Sequence, residues 1–225
     1  MFFFSKKQKI SRFKFTAGFT LVELLVTITI FVMLTGVVLF SQTKFNGTVM
    51  LTNLTYDTAL TIRQAQTFGV NIKEYDAGGA SAVFVPYGVH FEMTNPNSLN
   101  TSFILYADTL YNSSDKNPHG FAGDPSLCPD KDPNGCVTRY VIKKGNFISK
   151  ITYTTDGTTF RDLTVGDKID LVFVRPDPDA KIIFTPLSGS QITGIKEADI
   201  TLGSPDGGIR QVVVKSTGLI SVTPR

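Results

Sequence analysis

Apolar residues follow two different rhythms in the first third of the chain. From Phe19 to Phe40 they are almost continuous, FTLVELLVTITIFVMLTGVVLF, and Glu23 is the one ionisable side chain among them. A helix rises about 1.5 Å per residue, so this run of about 22 residues spans roughly 33 Å. That matches the ~30 Å hydrocarbon core of a bilayer. Beyond it the apolar positions narrow to a stripe, in which Leu51, Leu54, Thr58, Ile62 and Ala65 advance by three and four residues as one helix face requires. Phe45, Val49, Tyr56, Leu60 and Phe68 widen that stripe. The spacing predicts one helix from Phe19 to about Phe68, roughly 75 Å long, apolar all round at first and amphipathic afterwards. Gly36 and Gly47 each weaken such a helix by about 1 kcal/mol relative to alanine and mark where it would bend.

After Gly69 the period changes to two, in short β-branched and aromatic runs separated by Gly, Pro, Asn and Asp. The runs predict strands at Ala82–Val85, Gly88–Met93, Ser102–Ala107, Arg139–Lys143, Ile148–Thr154, Ile169–Arg175, Lys181–Thr185, Glu197–Leu202, Ile209–Lys215 and Leu219–Val222. Ile169, Leu171 and Phe173 alternate with Asp170 and Val172, which suggests antiparallel sheets with one face packed and the other solvated. The closing stretch GGIRQVVVKSTGLISV reads as a hairpin turning at Ser216-Thr217-Gly218. The expected fold class is therefore α+β: a long N-terminal helix, membrane-spanning and then amphipathic, packed on an antiparallel β-sheet domain. It divides into a leader at 1–18, a membrane half-helix at 19–40, an amphipathic half at 41–68 and a β-rich domain at 69–225, with no internal repeat.

Charge changes the picture at one end only. The formal net charge is +3, but Lys6, Lys7, Lys9, Arg12 and Lys14 fall in the first 18 residues, where there is no acid. Setting those five aside leaves 17 basic against 19 acidic residues, so bulk charge gives no reason to expect a nucleic-acid partner. The cluster has a topological role instead: basic residues before an apolar span stay cytoplasmic, which puts the C-terminal domain outside. A secretory signal would have a shorter apolar run with its small-residue cleavage site after it. Here the small pair Ala17-Gly18 comes first, so cleavage there would keep the apolar segment.

Gly18-Phe19-Thr20-Leu21-Val22-Glu23, with a basic leader before it and a long apolar helix after it, resembles the prepilin processing motif of type IV pilins and of the pseudopilins of type II secretion. The resemblance implies the pilin fold, cleavage after Gly18 by a membrane prepilin peptidase, N-methylation of Phe19 and assembly into a helical filament. It implies as partners other pilin or pseudopilin subunits, the peptidase/N-methyltransferase and an inner-membrane assembly platform. The chain would begin as a single-pass protein of the cytoplasmic membrane and end in a surface or periplasmic filament. Many major pilins carry a helix-kinking proline where Phe40 stands here, so the resemblance leans toward a minor pilin or pseudopilin. The C-terminal hairpin resembles that of the H-type minor pseudopilins and related minor pilins.

Glu23 has its own physics. A charge at the centre of a membrane helix costs about 2.5–3.5 kcal/mol on insertion scales, and less near an interface. Cleavage after Gly18 would create an ammonium four residues earlier, and positions i and i+4 of a helix share a face, so amine and carboxylate would neutralise each other within one chain or between staggered chains. Two other readings stand beside this one: a glutamate snorkelling at the membrane edge, and a membrane-anchored extracytoplasmic ligand-binding module that never polymerises.

Both cysteines, Cys128 and Cys136, lie in GDPSLCPDKDPNGC. In an exported domain they are expected to form a disulfide closing a short loop, worth about 2–3 kcal/mol by chain entropy, and in a cell without oxidising machinery they would remain thiols. Within the loop, Asp130, Asp132 and Asn134 followed by Gly135 match the opening of a calcium loop, but the twelfth position is Val141 instead of glutamate. Asp124, Asp115 or backbone carbonyls would have to complete a calcium site, and a plain solvated turn explains the same residues. No other cofactor is indicated. Zinc would need two further ligands, and His90 and His119 are isolated in sequence. His119 reads as a loop residue, and His90 points to the strand face opposite Val89 and Phe91. There is no nucleophile elbow, zincin motif or phosphate-binding loop, and no enzyme is expected.

Overall fold

Helix α1 runs Leu21–Val70. The computed structural model describes residues 18–71, 73–75, 83–94, 100–111, 117–125, 128 and 135–224. It divides into two units, Met1–Thr43 and Lys44–Arg225.

In the first unit α1 is a helix with no protein around it. Leu21–Leu39 has a mean hydropathy of 2.4 over 19 residues and none of it is buried, so it is long and apolar enough to cross a membrane. Its threonines suit such a setting. The hydroxyls of Thr27, Thr29 and Thr35 each donate back to a carbonyl of the preceding turn, on Leu24, Leu25 and Phe31, at 2.7–2.9 Å. No hydroxyl proton is then left without an acceptor where water is absent.

In the second unit α1 buries one stripe: Leu51, Thr55, Thr58, Ala59, Ile62 and Ala65. The hydroxyls of Thr55, Thr58 and Thr61 return to carbonyls one turn earlier, so these side chains present methyl groups to the core. The predicted stripe is the buried one, but Val49, Tyr56 and Leu60, expected to widen it, are exposed.

The remainder is antiparallel. In chain order the strands are β1 (Glu74–Tyr75), β2 (Val83–Phe84), β3 (Tyr87–Glu92), β4 (Ser102–Ala107), β5 (Cys136–Val141), β6 (Phe147–Thr154), β7 (Arg161–Asp162), β8 (Lys168–Phe173), β9 (Ala180–Thr185), β10 (Glu197–Gly203), β11 (Ile209–Lys215) and β12 (Ile220–Pro224). β1 and β2 form a small ribbon; the others make two five-stranded sheets, ordered β12-β11-β10-β6-β7 and β5-β4-β3-β8-β9. All ten predicted strands are present. The two-residue β1 and β7 were too short to show a period, and β5 begins at Cys136, ahead of the expected Arg139.

The inner faces of both sheets and the α1 stripe form one apolar cluster, with Val89, Phe91, Leu105 and Leu171 from one sheet, Ile151, Ile200 and Val212 from the other, and Ile62 from the helix. Each such side chain contributes about 1.5–3 kcal/mol when removed from water. The expectation of a solvated second face fails for the β5-β4-β3-β8-β9 sheet. Its outer side chains Ile104, Tyr106, Val172 and Ile183 are buried with Cys128, Cys136 and Phe121 in a second cluster. The alternation seen in the sequence is real, but the long β4–β5 connection covers the face that was expected to be wet.

Two residues near the end of α1 fix it to the sheets. Gln66 Nε2 donates to the carbonyls of Pro178 and Gly218, at 2.8 and 3.1 Å, tying the helix to two separate turns. At Gly69 a Cβ would overlap the Phe173 carbonyl, so helix and β8 approach as only glycine allows. We therefore expect Gly69→Ala to lower stability by about 1–3 kcal/mol, since backbone must move to make room. Gln66→Ala should cost a similar ~1–3 kcal/mol by leaving two carbonyls unanswered. Thermal unfolding of the full chain in detergent micelles checks both, and unchanged midpoints would contradict this account of the helix–sheet seam.

Candidate functional site

The segment that carries the processing motif is organised by Thr20. Its carbonyl accepts the Leu24 N–H at 3.1 Å, and its hydroxyl oxygen accepts the Glu23 N–H at 3.2 Å, so Thr20 is the N-cap of α1. Thr20 and Glu23 have the T-x-x-E spacing of a capping box. Glu23 is the acidic residue of the first turn, where the helix dipole favours a carboxylate. Capping explains why the helix starts at Leu21 and not at Phe19. Gly18 and Phe19 lie outside it and exposed, so their peptide bond is not locked in helical hydrogen bonds. Phe19 therefore precedes the helix whose first turn carries Glu23; the pairing expected within one chain or between staggered chains concerns the cleaved chain.

Cys128 and Cys136 form a disulfide, with a Cα–Cα separation of 5.7 Å. The disulfide packs with Ile104 and Tyr106 on the outer face of the β5-β4-β3-β8-β9 sheet. Asp130, Asp132 and Asn134 of the calcium reading lie outside the described residues, as does Asp115. Among the described residues no group of three or more His, Cys, Asp and Glu side chains is placed to hold a metal.

On the same sheet face is a constellation absent from the sequence reading. His90 on β3 and Asp170 on β8 are paired in the register of neighbouring strands, and His90 Nδ1 lies 2.9 Å from Asp170 Oδ1 with both side chains buried. The Phe121 N–H donates to the same Asp170 oxygen at 3.2 Å, and the His119 N–H donates to Asp108 Oδ2 at 2.7 Å. Two buried carboxylates thus hold the backbone of the covering segment. The His90 ring also leans on Phe121, with centroids 5.1 Å apart. Burial opposes the His90 charge, but the Asp170 carboxylate and then Glu92 outweigh it and lift the imidazole to about 9. The neighbouring His90 imidazolium leads the effects that hold Glu92 below its usual range. Burial raises Asp108, and it pushes the Tyr106 hydroxyl well above its ordinary value. The buried ion pair thus also binds the backbone of the covering segment through Asp170. His90 and Asp170 are 80 positions apart, and each was read only as pointing away from its apolar neighbours. Their shared outward face was the available signal; which strands lie side by side was not.

With this geometry described, comparison with known proteins bears on the N-terminus alone. Residues 14–39 match the family model of the Prokaryotic N-terminal methylation motif. The chain carries a prepilin-type N-terminus. The motif supports membership of the type IV pilin family, and it implies processing by a prepilin peptidase and assembly with other pilins. It indicates a structural protein, and with the apolar helix it fits a single-pass, membrane-anchored chain. No curated protein and no solved structure matches the chain.

The His90 ion pair gives a pH dependence with a definite sign. Because the folded value, about 9, lies above the ordinary 6.5, its stabilisation is complete below about pH 6.5 and is lost as pH rises through 9. Tyr87, raised to about 12, and Tyr106 ionise higher still and leave this window to His90. Over it the wild-type chain should lose about 3 kcal/mol of unfolding free energy. Asp170→Asn should be less stable at pH 6.5 and nearly flat from there to pH 9. Denaturant titrations at several pH values measure this, and parallel profiles would refute the assignment.

Proposed function

We propose that the chain is a minor pilin or pseudopilin, a structural subunit of a type IV pilus or a type II secretion-like filament. On this reading residues 1–18 are a leader removed after Gly18, the new amine of Phe19 is methylated, and the helix passes from membrane to filament core. The observation that carries the reading is the match of residues 14–39, which covers the basic end of the leader, the cleavage pair and the apolar helix together. The exposed side chains of Leu21–Leu39 support it, because an apolar surface of that length needs either lipid or other helices around it. Exposed Val49, Tyr56 and Leu60 extend an apolar surface into the second unit, where neighbouring subunits would cover it.

Glu23 is the register element in this scheme. Since Phe19 precedes the helix, the carboxylate would meet the ammonium of an adjacent subunit more readily than its own. Pairing between chains removes two charges from an apolar interior, and losing one partner of such a pair costs about 3–5 kcal/mol. The β-domain would stay outside the membrane, and its disulfide suits an oxidising compartment.

Mass spectrometry of the chain from producing cells is the direct test: the expected N-terminus is methylated Phe19, whereas an intact Met1 would point to a simple membrane anchor. Glu23→Ala should insert into the membrane as well as wild type, yet enter filaments roughly a hundredfold less, as scored by immunoblotting of sheared filaments. Wild-type incorporation of that variant would exclude the pairing mechanism.

A further inference from the structure

The outer face of β3, β4 and β5 carries a pocket of about 300 Å³. Its construction follows from strand register. His90 stands opposite Ile104, and Ile104 opposite Arg139, so the three side chains form a row on one face. With strands about 4.8 Å apart, His90 and Arg139 flank Ile104 at roughly 10 Å from each other. Glu92 and Ser102 lie two positions along from His90 and Ile104 on the same face, Arg139 Nη2 contacts Ser102 Oγ at 3.3 Å, and Pro125 borders the opening.

Two donors here are buried and unanswered: His90 Nε2 and Arg139 Nε. His90 Nδ1 is already engaged by Asp170, so in the imidazolium Nε2 presents its proton to the pocket. An unmet buried donor costs about 1–3 kcal/mol, which a bound acceptor would recover. The nearest acidic oxygen, Glu92 Oε2, is 3.9 Å from Nε2, too far for a hydrogen bond. One oxygen set to the side of the line joining them can lie about 2.8 Å from each.

Charge decides what kind of oxygen. Among the described residues the cations of His90, Arg139 and Lys168 are matched by the carboxylates of Asp170, Glu92 and Asp124, so these residues give the pocket no positive excess to hold an anion. A second carboxylate beside Glu92 would be repelled. A hydroxyl suits both neighbours, accepting from Nε2–H while donating to Glu92. We propose that this pocket binds one ring of an uncharged polyhydroxylated ligand, a monosaccharide unit, with one hydroxyl bridging His90 and Glu92 and a hydroxyl on the opposite side of the ring accepting from Arg139 Nε. A volume at the small end of ligand pockets sets the size at a single ring.

The test uses the full chain with labelled histidine in micelles of a detergent that has no sugar headgroup, so that polymerisation plays no part. Methyl mannoside, methyl galactoside and N-acetylglucosamine are titrated separately, with acetate at matched ionic strength as the anionic comparison. At least one sugar is expected to shift the His90 Nε2 resonance saturably in the millimolar range, and Arg139→Met and Glu92→Gln are each expected to weaken that binding about tenfold or more. The two variants alter opposite walls, so misfolding of one leaves the other as a test. Failure of all three sugars to saturate, saturation by acetate instead, or undiminished binding by a folded variant would overturn the proposal.

Discussion

The second unit is organised around one apolar cluster shared by one helix face and two sheets. Ile62 and Ala65 have no exposed surface, and both sheets direct their inward residues to the same cluster. Neither sheet could keep its apolar inner face in water without a large free-energy cost, and the helix stripe has the same requirement. That mutual need explains why small features at the seam matter. Gly69 lets the helix come close to the β8 backbone, and Gln66 supplies donors to two turn carbonyls that the sheets leave unpaired.

The first unit obeys a different constraint. From Leu21 to Leu39 the helix has no protein core to satisfy it, so its surface is apolar and its threonines bond to their own backbone. At the start of the helix polar chemistry returns in ordered form. Thr20 answers an amide that would otherwise lack an acceptor, and the Glu23 carboxylate sits where the helix dipole is favourable. The glutamate that interrupts an apolar run is thus stabilised locally before any partner is considered, and capping leaves the Gly18–Phe19 bond outside the helix.

The outer face of the β5-β4-β3-β8-β9 sheet shows how a covering loop changes the chemistry beneath it. Once the segment carrying Phe121 covers the face, His90 and Asp170 lose water and must answer each other. The same shielding leaves His90 Nε2 and Arg139 Nε without partners and so defines the sugar-sized pocket. A solvated face would have offered water to all four groups and no specificity to any.

Local pattern alone determined a great deal: the apolar span, the buried stripe of α1, ten strands, the cysteine pair and the N-terminal motif. Each rests on a short-range regularity, whether the 3.6 or 2 residue period, the glycine turns, or contiguous residues read together by one enzyme. The tertiary structure decided what depends on distant segments meeting. It chose which strands are neighbours, and so brought His90 to Asp170 across 80 positions and set Arg139 beside Ile104. It also left Tyr56 and Leu60 in the open, although their spacing suited burial. Periodicity states which side of an element a residue occupies, but only packing of the whole chain states what lies on that side.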